Sequence, residues 1–452
     1  MSTEILPHPT ATPAVPFAAL VALDWADQKH TWALQAADST RTEQGEIEHT
    51  PEAVEAWAAE LAQRFAGQPV AVALEQSRGA LLFMLTKYAH LVLYPVHPAS
   101  LARYRAAFYP CGAKDDPSDA QLLLDLLLHH RDRLRRLEVD TVETRTLQFL
   151  VEERRRLVNE RTRQSNRLTA KLKLYFPQIL DWFAEVDSPL VGALLRRWPT
   201  LEQLQKARPA TLRQFLQQRN CRSAERIEQR LEQIRQALPA TRDAAVLQAN
   251  VAAVRVLVDL LATLREGIAE LDRQIAKLFA AHPDFPIFES LPGAGPVLAP
   301  RLLAALGSRR ERYASAGQIQ CYSGIAPVLE RSGTASWVHS RWSCPKFLRQ
   351  TFHEWASHSV GFSDWARCYY QRQRTKGKSH HAAVRALAFK WIRILYRCWK
   401  DRVPYHESLY QQSLGQRTSP KPGQPADPVA DAGPAIRWIT CASFSKPVLA
   451  TS

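Results

Sequence analysis

Short apolar runs and amphipathic stretches alternate along the first 138 residues. The runs FAALVALD and HTWALQAA flank a polar turn, which predicts a β-hairpin. Residues 51–67 have the spacing of a helix that ends at a glycine, while VAVALE (70–75) and LVLYPVH (91–97) predict buried strands around the helical stretch ALLFMLTKYAH. Strands that alternate with helices predict an α/β layered domain over residues 17–138.

Strand patterns are absent from residues 139–283, which we predict to be helical. Residues 141–175 carry nine Lys or Arg and four Glu around spaced leucines, typical of a long basic amphipathic helix. Farther on, apolar residues repeat with heptad spacing at Val254, Leu257, Leu261, Leu264, Ile268, Leu271, Ile275 and Leu278. This seam favours a coiled coil between two copies of the chain. The alternative is a helical hairpin with residues 141–175 of the same chain.

Residues 284–410 form a third region, predicted to be mostly helical and rich in cations. Near its start lies LPGAGP (291–296). This segment is either a turn between two helices that holds a phosphate or a plain interhelical turn. Tryptophans are interleaved with the cations at Trp337, Trp342, Trp355, Trp365, Trp391 and Trp399. We expect most of them to be core residues and one or two to stack on bases.

The charge of the chain points to a polyanionic partner. There are 59 Lys and Arg against 44 Asp and Glu, a formal net charge of +15. Between Arg341 and Lys400, 13 Lys or Arg stand against two acids, so this segment supplies most of the excess. We therefore expect a nucleic acid as partner.

Composition also gives expectations about where in the cell the protein lies and about the order of its terminal segments. Pro-rich residues 1–16 and 411–452 predict a disordered leader and tail. The seven cysteines are scattered without a CxxC pair, which argues against a zinc knuckle or a disulfide framework. No apolar run approaches the ~20 residues that cross a membrane. We expect a cytoplasmic protein with no membrane contact.

Four acids are candidates for one metal site. Asp24 and Glu75 close two apolar runs, at the carboxyl ends of predicted strands where functional side chains collect. Asp116 and Asp119 lie three apart where a helix begins, so they share a face. Hard carboxylate oxygens suit Mg²⁺, and two such ions can activate phosphodiester chemistry. Any one of these acids alone is commonly a turn or cap residue.

The order D24, E75, KDDPSDA, PGAGP, YSGIAPVLERSG and KGKSHHAAVRALAFKWIRILY resembles the DEDD-type insertion-sequence transposases of the IS-one-ten family, the bridge-RNA-guided recombinases. The resemblance covers residues 18–135 and 285–405. It implies a RuvC-type, RNase-H-like nuclease domain, a coiled-coil middle and a transposase domain with a nucleophilic serine.

By matching positions, Asp24, Glu75, Asp116 and Asp119 would bind metal and Ser332 would attack DNA. The resemblance further implies a phosphoserine intermediate, Mg²⁺, a noncoding guide RNA, target and donor DNA, and a homo-oligomer between dimer and tetramer. Residues expected to contact nucleic acid are Arg154, Arg155, Arg161, Arg331, Arg341, Lys346, Arg349, Lys376 and Lys378. His380 and His381 lack a third ligand at suitable spacing, so phosphate contact is favoured over zinc.

Two positions depart from the family pattern. Asp115 replaces the usual threonine before the third acid, and Cys344-Pro345 replaces a common glycine. Asp115 is expected to be a helix cap or a solvated neighbour. Two other functions stay open on sequence grounds. One is a Holliday-junction-resolvase-like nuclease that hydrolyses DNA with metal-activated water, and the other is a non-enzymatic nucleic-acid-binding relative.

Overall fold

Two units, Met1–Val139 and Asp140–Ser452, make up the chain. The structure, a computed structural model, describes residues 17–75, 79–108, 116–333 and 335–418, without the side chains of 116, 117 and 413–418. The expected leader (1–16), Asp115 and most of the expected tail therefore lie outside the described residues.

The first unit is a mixed sheet with helices on both faces. Its elements are β1 (Ala19–Asp24), β2 (Lys29–Ala36), β3 (Thr42–Glu48), α1 (Pro51–Arg64), β4 (Val70–Leu74), α2 (Ala80–Leu85), β5 (Leu91–Pro95), α3 (Pro98–Phe108), α4 (Asp116–His130) and a 3-10 turn (Arg131–Arg133). The strand order is β3-β2-β1-β4-β5. Strands β1, β2 and β3 pair antiparallel, while β4 and β5 run parallel to β1. The predicted hairpin, strands and α/β layering are confirmed.

Strand alternation divides the sheet residues between two cores. Val21, Leu23 and Leu74 share one core with Trp57 of α1 and Leu81 of α2. On the other face, the sheet packs against α3 and α4 through small side chains. That second core includes Ala22, Ala33, Ala71, Ala73, Leu101, Ala120, Leu123 and Leu127. Alanines on this face let α4 lie close to the ends of β1 and β4.

In the part of it that the structure describes, the second unit is helical apart from one small hairpin. Its helices are α5 (Val142–Tyr175), α6 (Gln178–Trp182), α7 (Pro189–Arg197), α8 (Leu201–Gln205), α9 (Pro209–Gln217), α10 (Ala224–Gln236), α11 (Ala244–Ala280), α12 (Phe285–Glu289), α13 (Gly295–Leu306), α14 (Ala316–Tyr322), α15 (Lys346–Ser359), α16 (Asp364–Thr375), α17 (His380–Asp401) and α18 (Glu407–Thr418), with a 3-10 turn at Arg310–Arg312. Strands β6 (Val328–Ser332) and β7 (Ala335–His339) pair antiparallel.

Two sequence expectations for this unit need correction. Residues 284–410 are mostly helical as predicted, but they also include the strands β6 and β7, which the sequence pattern does not predict. This hairpin is mostly exposed and lacks the apolar alternation of a half-buried sheet, so its pattern gave no strand signal. The tail was expected from residue 411, whereas α18 continues to Thr418.

The heptad seam of α11 packs against α5 of the same chain. Thr144 Oγ1 at the start of α5 lies 3.1 Å from His282 Nε2 just after α11, so the two helices run antiparallel. The seam residues Val254, Leu257, Leu261, Ile268 and Ile275 are buried within this chain. The intramolecular alternative is thus confirmed, while the joining of two copies stays a prediction. A heptad pattern selects an apolar stripe but not the chain that covers it.

Helix α11 is also long and apolar enough to cross a membrane by length and composition. A single helix of this kind is weak evidence for a membrane span, because core helices pass the same test. Here its seam is covered by α5, while 28% of its most apolar 18-residue window is buried.

The α5–α11 pair contributes to two cores. Near one end, Leu147, Val151, Ile275 and Phe279 share a core with residues of α12–α17. Near the other end, Leu168, Leu172, Val254 and Leu257 pack with α6–α10. The boundary predicted between residues 283 and 284 therefore falls inside a shared core.

The LPGAGP turn is packed against α15. A Cβ on Gly293, whose φ is +70°, would lie 2.9 Å from backbone atoms of His358 and Ser359. Trp355 Nε1 donates to the Pro292 carbonyl at 3.1 Å. Gly293 is thus required for close packing, which supports the plain interhelical turn.

Candidate active site

Asp24 and Glu75 lie at the ends of neighbouring parallel strands. Asp24 is the last residue of β1, and Glu75 follows β4 directly. Leu23 pairs with Leu74 in the register of these strands, so the two acids come next in the same ladder. Since Ala22 and Ala73 face α4, strand alternation directs Asp24 and Glu75 toward that side.

Asp119 lies in the first turn of α4, on the helix that covers this face of the sheet. Its carboxylate is only 3% exposed and accepts a hydrogen bond from the Arg105 guanidinium of α3. The neighbouring Ala120 and Leu123 are buried against the sheet. Asp116 begins α4, but its side chain lies outside the described side chains. No pattern in the sequence marks the pairing of Arg105 with Asp119.

The donor chemistry suits Mg²⁺, but the described side chains do not complete a site. Among them, no three His, Cys, Asp or Glu come close enough to hold one ion. Two carboxylates are aligned at adjacent strand ends, and a third is buried with a cationic partner. The fit is therefore partial: hard oxygen donors are present, and Arg105 already neutralises Asp119.

A histidine pair anchors the loop that follows Asp24. His30 Nδ1 accepts a hydrogen bond from the Ala26 amide at 3.3 Å, and His30 Nε2 lies 2.8 Å from His49 Nδ1. Burial, and then the nearby His49, lowers the pKa of His30 to about 4. His30 is therefore neutral near pH 7, and its unprotonated Nδ1 can hold the loop. No motif in the sequence marks this role.

Ser332 ends β6 at the tip of the β6–β7 hairpin. It is exposed and pairs with Ala335 across the hairpin. Gly333 follows with φ of +57°, a conformation that suits glycine in a tight turn. Ser332 is thus exposed to solvent at the end of the hairpin.

The YSGIAP segment preceding this hairpin packs against the unusual Cys344. Gly324 has φ of +70°, and a Cβ there would overlap Cys344 Sγ. Cys344 Sγ also lies 3.6 Å from the Arg341 carbonyl, and Pro345 caps α15. Cys344-Pro345 therefore packs against Gly324 directly before α15, and the absence of a side chain on Gly324 leaves room for the thiol.

Both parts of this arrangement match known sequence families. A family model described as a transposase matches residues 21–177, which include all four acids. A second, described as a transposase of the IS116/IS110/IS902 family, matches residues 286–371, which include Ser332. The chain belongs to the IS110 family of transposases.

Individual relatives extend the match across both units of the transposase. A protein of the mini-circle element IS117 from Streptomyces coelicolor is 28% identical over 344 residues, 75% of this chain and 83% of that relative. The IS110 insertion-element protein of the same organism is 28% identical over 69% of this chain and 77% of its own. The IS900 protein of Mycobacterium paratuberculosis is 28% identical over 68% of this chain and 77% of its own.

Three of the cations expected to bind nucleic acid on α5 are already paired within the transposase. Arg154 donates to Asp272 of α11, with Nη2 3.2 Å from Oδ2. Arg155 lies 3.3 Å from Glu354, which also binds Arg301, and Arg161 lies 3.4 Å from Asp187. These ion pairs link α5 to neighbouring elements, so their charges are partly offset before any nucleic acid binds.

The remaining candidate cations differ in exposure. Arg331, Lys346 and Lys376 are exposed, whereas Arg341 and Arg349 are half-buried. Lys378 donates to Gln373 at 2.6 Å, and burial followed by the charge of Lys376 lowers its pKa. The exposed three are best placed to meet a phosphate backbone.

His380 and His381 interact with other rings. The Tyr370 hydroxyl lies 2.8 Å from His380 Nδ1, and the His381 ring centroid lies 5.7 Å from that of His353. Within the described side chains, neither histidine belongs to a group that could hold a metal.

The six tryptophans within residues 284–410 separate into two classes. Trp355, Trp391 and Trp399 are fully buried and Trp365 nearly so, while Trp337 and Trp342 are exposed. The expectation that most are core residues is confirmed, and the exposed two are the candidates for base stacking.

Proposed function

We propose that this insertion-sequence transposase cuts and rejoins DNA strands with the Ser332 hydroxyl as its nucleophile. The observation that carries the proposal is the position of Ser332, exposed at the tip of a hairpin inside the matched family segment. Ser332 Oγ gives up its proton and forms a bond to phosphorus. The bond between phosphorus and one DNA oxygen breaks, and that oxygen takes up a proton and leaves as a hydroxyl. A later DNA hydroxyl attacks the phosphoserine, takes over the phosphorus bond and releases the serine. No high-energy cofactor is needed, because each step exchanges one phosphate ester for another.

The carboxylates of the first unit supply the second part of the proposal. Asp24, Glu75, Asp116 and Asp119 would hold Mg²⁺, on a sheet that we infer to be RuvC/RNase-H-like. The aligned ends of β1 and β4, with α4 packed on that face, support this inference. Bound Mg²⁺ offsets phosphate charge in such sites. Asp119 would exchange its pairing with Arg105 for the cation.

The partners follow from charge and from the family. We propose that DNA and a noncoding guide RNA bind the transposase through basic surfaces that include Arg331, Lys346 and Lys376. The exposure of these side chains and the +15 formal charge support it. Binding should weaken steeply with salt, since each neutralised phosphate releases counterions.

A homo-oligomer, also implied by the family, needs a surface other than the α11 seam. Val256 and Leu260 lie on α11 outside that seam and are exposed. We propose that this apolar strip contributes to self-association.

Substitution of Ser332 tests the nucleophile directly. Ser332→Ala should abolish covalent protein–DNA adducts, which are detected as a slower band on a denaturing gel with radiolabelled element DNA and Mg²⁺. Ser336→Ala is the matched control, because Ser336 is exposed on the same hairpin but pairs with Arg331 instead. It should form adducts at the wild-type level.

Adducts that persist in Ser332→Ala would overturn the role of Ser332. Cleavage without any adduct in the wild-type protein would instead favour hydrolysis by metal-activated water, as in a junction-resolving nuclease.

A further inference from the structure

The register of the β6–β7 hairpin places one tryptophan beside Ser332. Directly opposed residues of an antiparallel pair share a face, so one face carries Val328, Glu330, Ser332, Ala335, Trp337 and His339. Ser332 pairs with Ala335, and Glu330 pairs with Trp337, two residue pairs along the ladder and on the same face. Such diagonal neighbours are ~7–8 Å apart, within reach of a large aromatic side chain.

Trp337 lies outside the core, unlike most tryptophans of residues 284–410. Its side chain is 42% exposed, whereas Trp355, Trp391 and Trp399 of the same unit are fully buried. An exposed indole on a two-stranded hairpin contributes little to folding. It does offer a flat apolar surface to a ligand.

The charge of this face favours stacking over phosphate attraction. None of its six residues is Lys or Arg, and it carries Glu330, whose carboxylate lies 3.3 Å from His339 Nε2. Arg331 points to the opposite face with Ser336. A nucleic acid that approaches Ser332 from this side therefore gains more from contact between a base and the indole than from ionic contact.

We propose that Trp337 stacks on an unpaired DNA base next to the scissile phosphate and so positions that phosphate at Ser332 Oγ. The proposal rests on the proposed function and deepens it, because it assigns the substrate as locally single-stranded DNA at the point of attack. Stacking accepts every base, so Trp337 supplies position without sequence preference.

Binding of single-stranded oligothymidine to the full chain tests the stacking. Trp337→Ala should weaken binding roughly 5- to 100-fold, the loss expected for one stacked base. Trp337→Phe should restore most of the affinity because it keeps an aromatic face. Leu329→Ala is the matched control, since Leu329 is similarly exposed (49%) on the opposite face of the hairpin. Its affinity should equal that of the wild type.

Salt dependence separates stacking from charge. Trp337→Ala should leave the slope of log affinity against log salt unchanged, whereas Arg331→Ala should reduce it by about 1 if Arg331 contacts a phosphate. An oligonucleotide with 5-iodouracil, irradiated with the protein, should cross-link to the peptide that contains Trp337.

The outcomes distinguish the stacking role of Trp337 from the proposed nucleophilic role of Ser332. If Ser332→Ala loses its adducts but Trp337→Ala binds oligothymidine like the wild type, the stacking proposal is overturned and the nucleophile stands. If Trp337→Ala and Leu329→Ala lose affinity equally, the hairpin acts as a whole and the assignment to Trp337 is wrong. Persistent adducts in Ser332→Ala overturn both.

Discussion

The candidate carboxylates and the candidate nucleophile occupy opposite kinds of structure. Asp24 and Glu75 extend from strands that are buried on both faces, and Asp119 is itself buried. Ser332 lies on a two-stranded hairpin whose residues are mostly exposed. The contrast teaches that the acids are positioned by core packing, whereas the serine is positioned by a turn. Changes near the acids therefore disturb folding and chemistry together, while changes on the hairpin report mainly on chemistry.

A leucine-to-alanine substitution, made once in the first-unit sheet and once in the β6–β7 hairpin, gives the largest expected difference between the two regions. Leu74→Ala in β4 should lower the free energy of unfolding of the first unit by about 2–5 kcal/mol, because the side chain is fully buried. Leu329→Ala in β6 should change stability by less than about 0.5 kcal/mol. Urea unfolding followed by circular dichroism measures both. If the two substitutions lowered the free energy of unfolding equally, side-chain packing would stabilise the hairpin as much as the sheet.

The Arg105–Asp119 pair gives the second test. Arg105→Gln should cost about 3 kcal/mol in the absence of divalent ions, since it leaves a buried carboxylate without its cation. This is the low end for a buried ion pair because the Arg105 side chain is 22% exposed. If Asp119 belongs to a metal site, millimolar Mg²⁺ should restore much of that stability by binding the native state. Thermal unfolding with and without Mg²⁺ measures the recovery.

Arg64→Gln is the control for that experiment. Arg64 donates to Glu43 at 2.6 and 2.7 Å in the same unit, but that pair is on the surface. Its loss should cost little and should not respond to Mg²⁺. Equal Mg²⁺ responses from the two variants would argue against a metal at Asp119.

The smallest expected effect is a pH dependence from His30. Its pKa is about 4 in the folded protein, below the ordinary 6.5, so the unfolded chain binds more protons between these values. Stability should therefore fall as the pH is lowered from about 6.5 to 4. We expect a loss of about 1–2 kcal/mol, less than the full shift implies because His49 is partly open to solvent. His30→Gln should flatten this part of the stability profile; an unchanged slope would assign it to other groups.

The sequence foretold the first unit well because its signals are local. Each buried strand is a short apolar run, and Asp24 and Glu75 stand directly after two of them. Two contacts in the same region were not foreseen. Arg105 reaches Asp119 from another helix, and His30 reaches Ala26 through a loop, so neither contact follows from periodicity.

In the second unit, local patterns left the pairing of elements undecided. The α11 seam was visible, but the same heptads serve a partner within or outside the chain. The β6–β7 hairpin was missed because VLERS and ASWVH do not show the apolar alternation that a buried sheet requires. Most of these tryptophans are buried as expected, but the sequence pattern does not identify Trp337 and Trp342 as the exposed ones.

The core that joins α5 and α11 to α12–α17 limits how this protein can be divided. Leu147, Val151, Ile275 and Phe279 come from residues before 284, yet they pack inside the helical region that begins there. A fragment that starts at 284 would expose the surfaces that these four side chains cover and is a poor choice for expression. Any exchange of modules between relatives should instead keep residues 140–418 together as one inherited block.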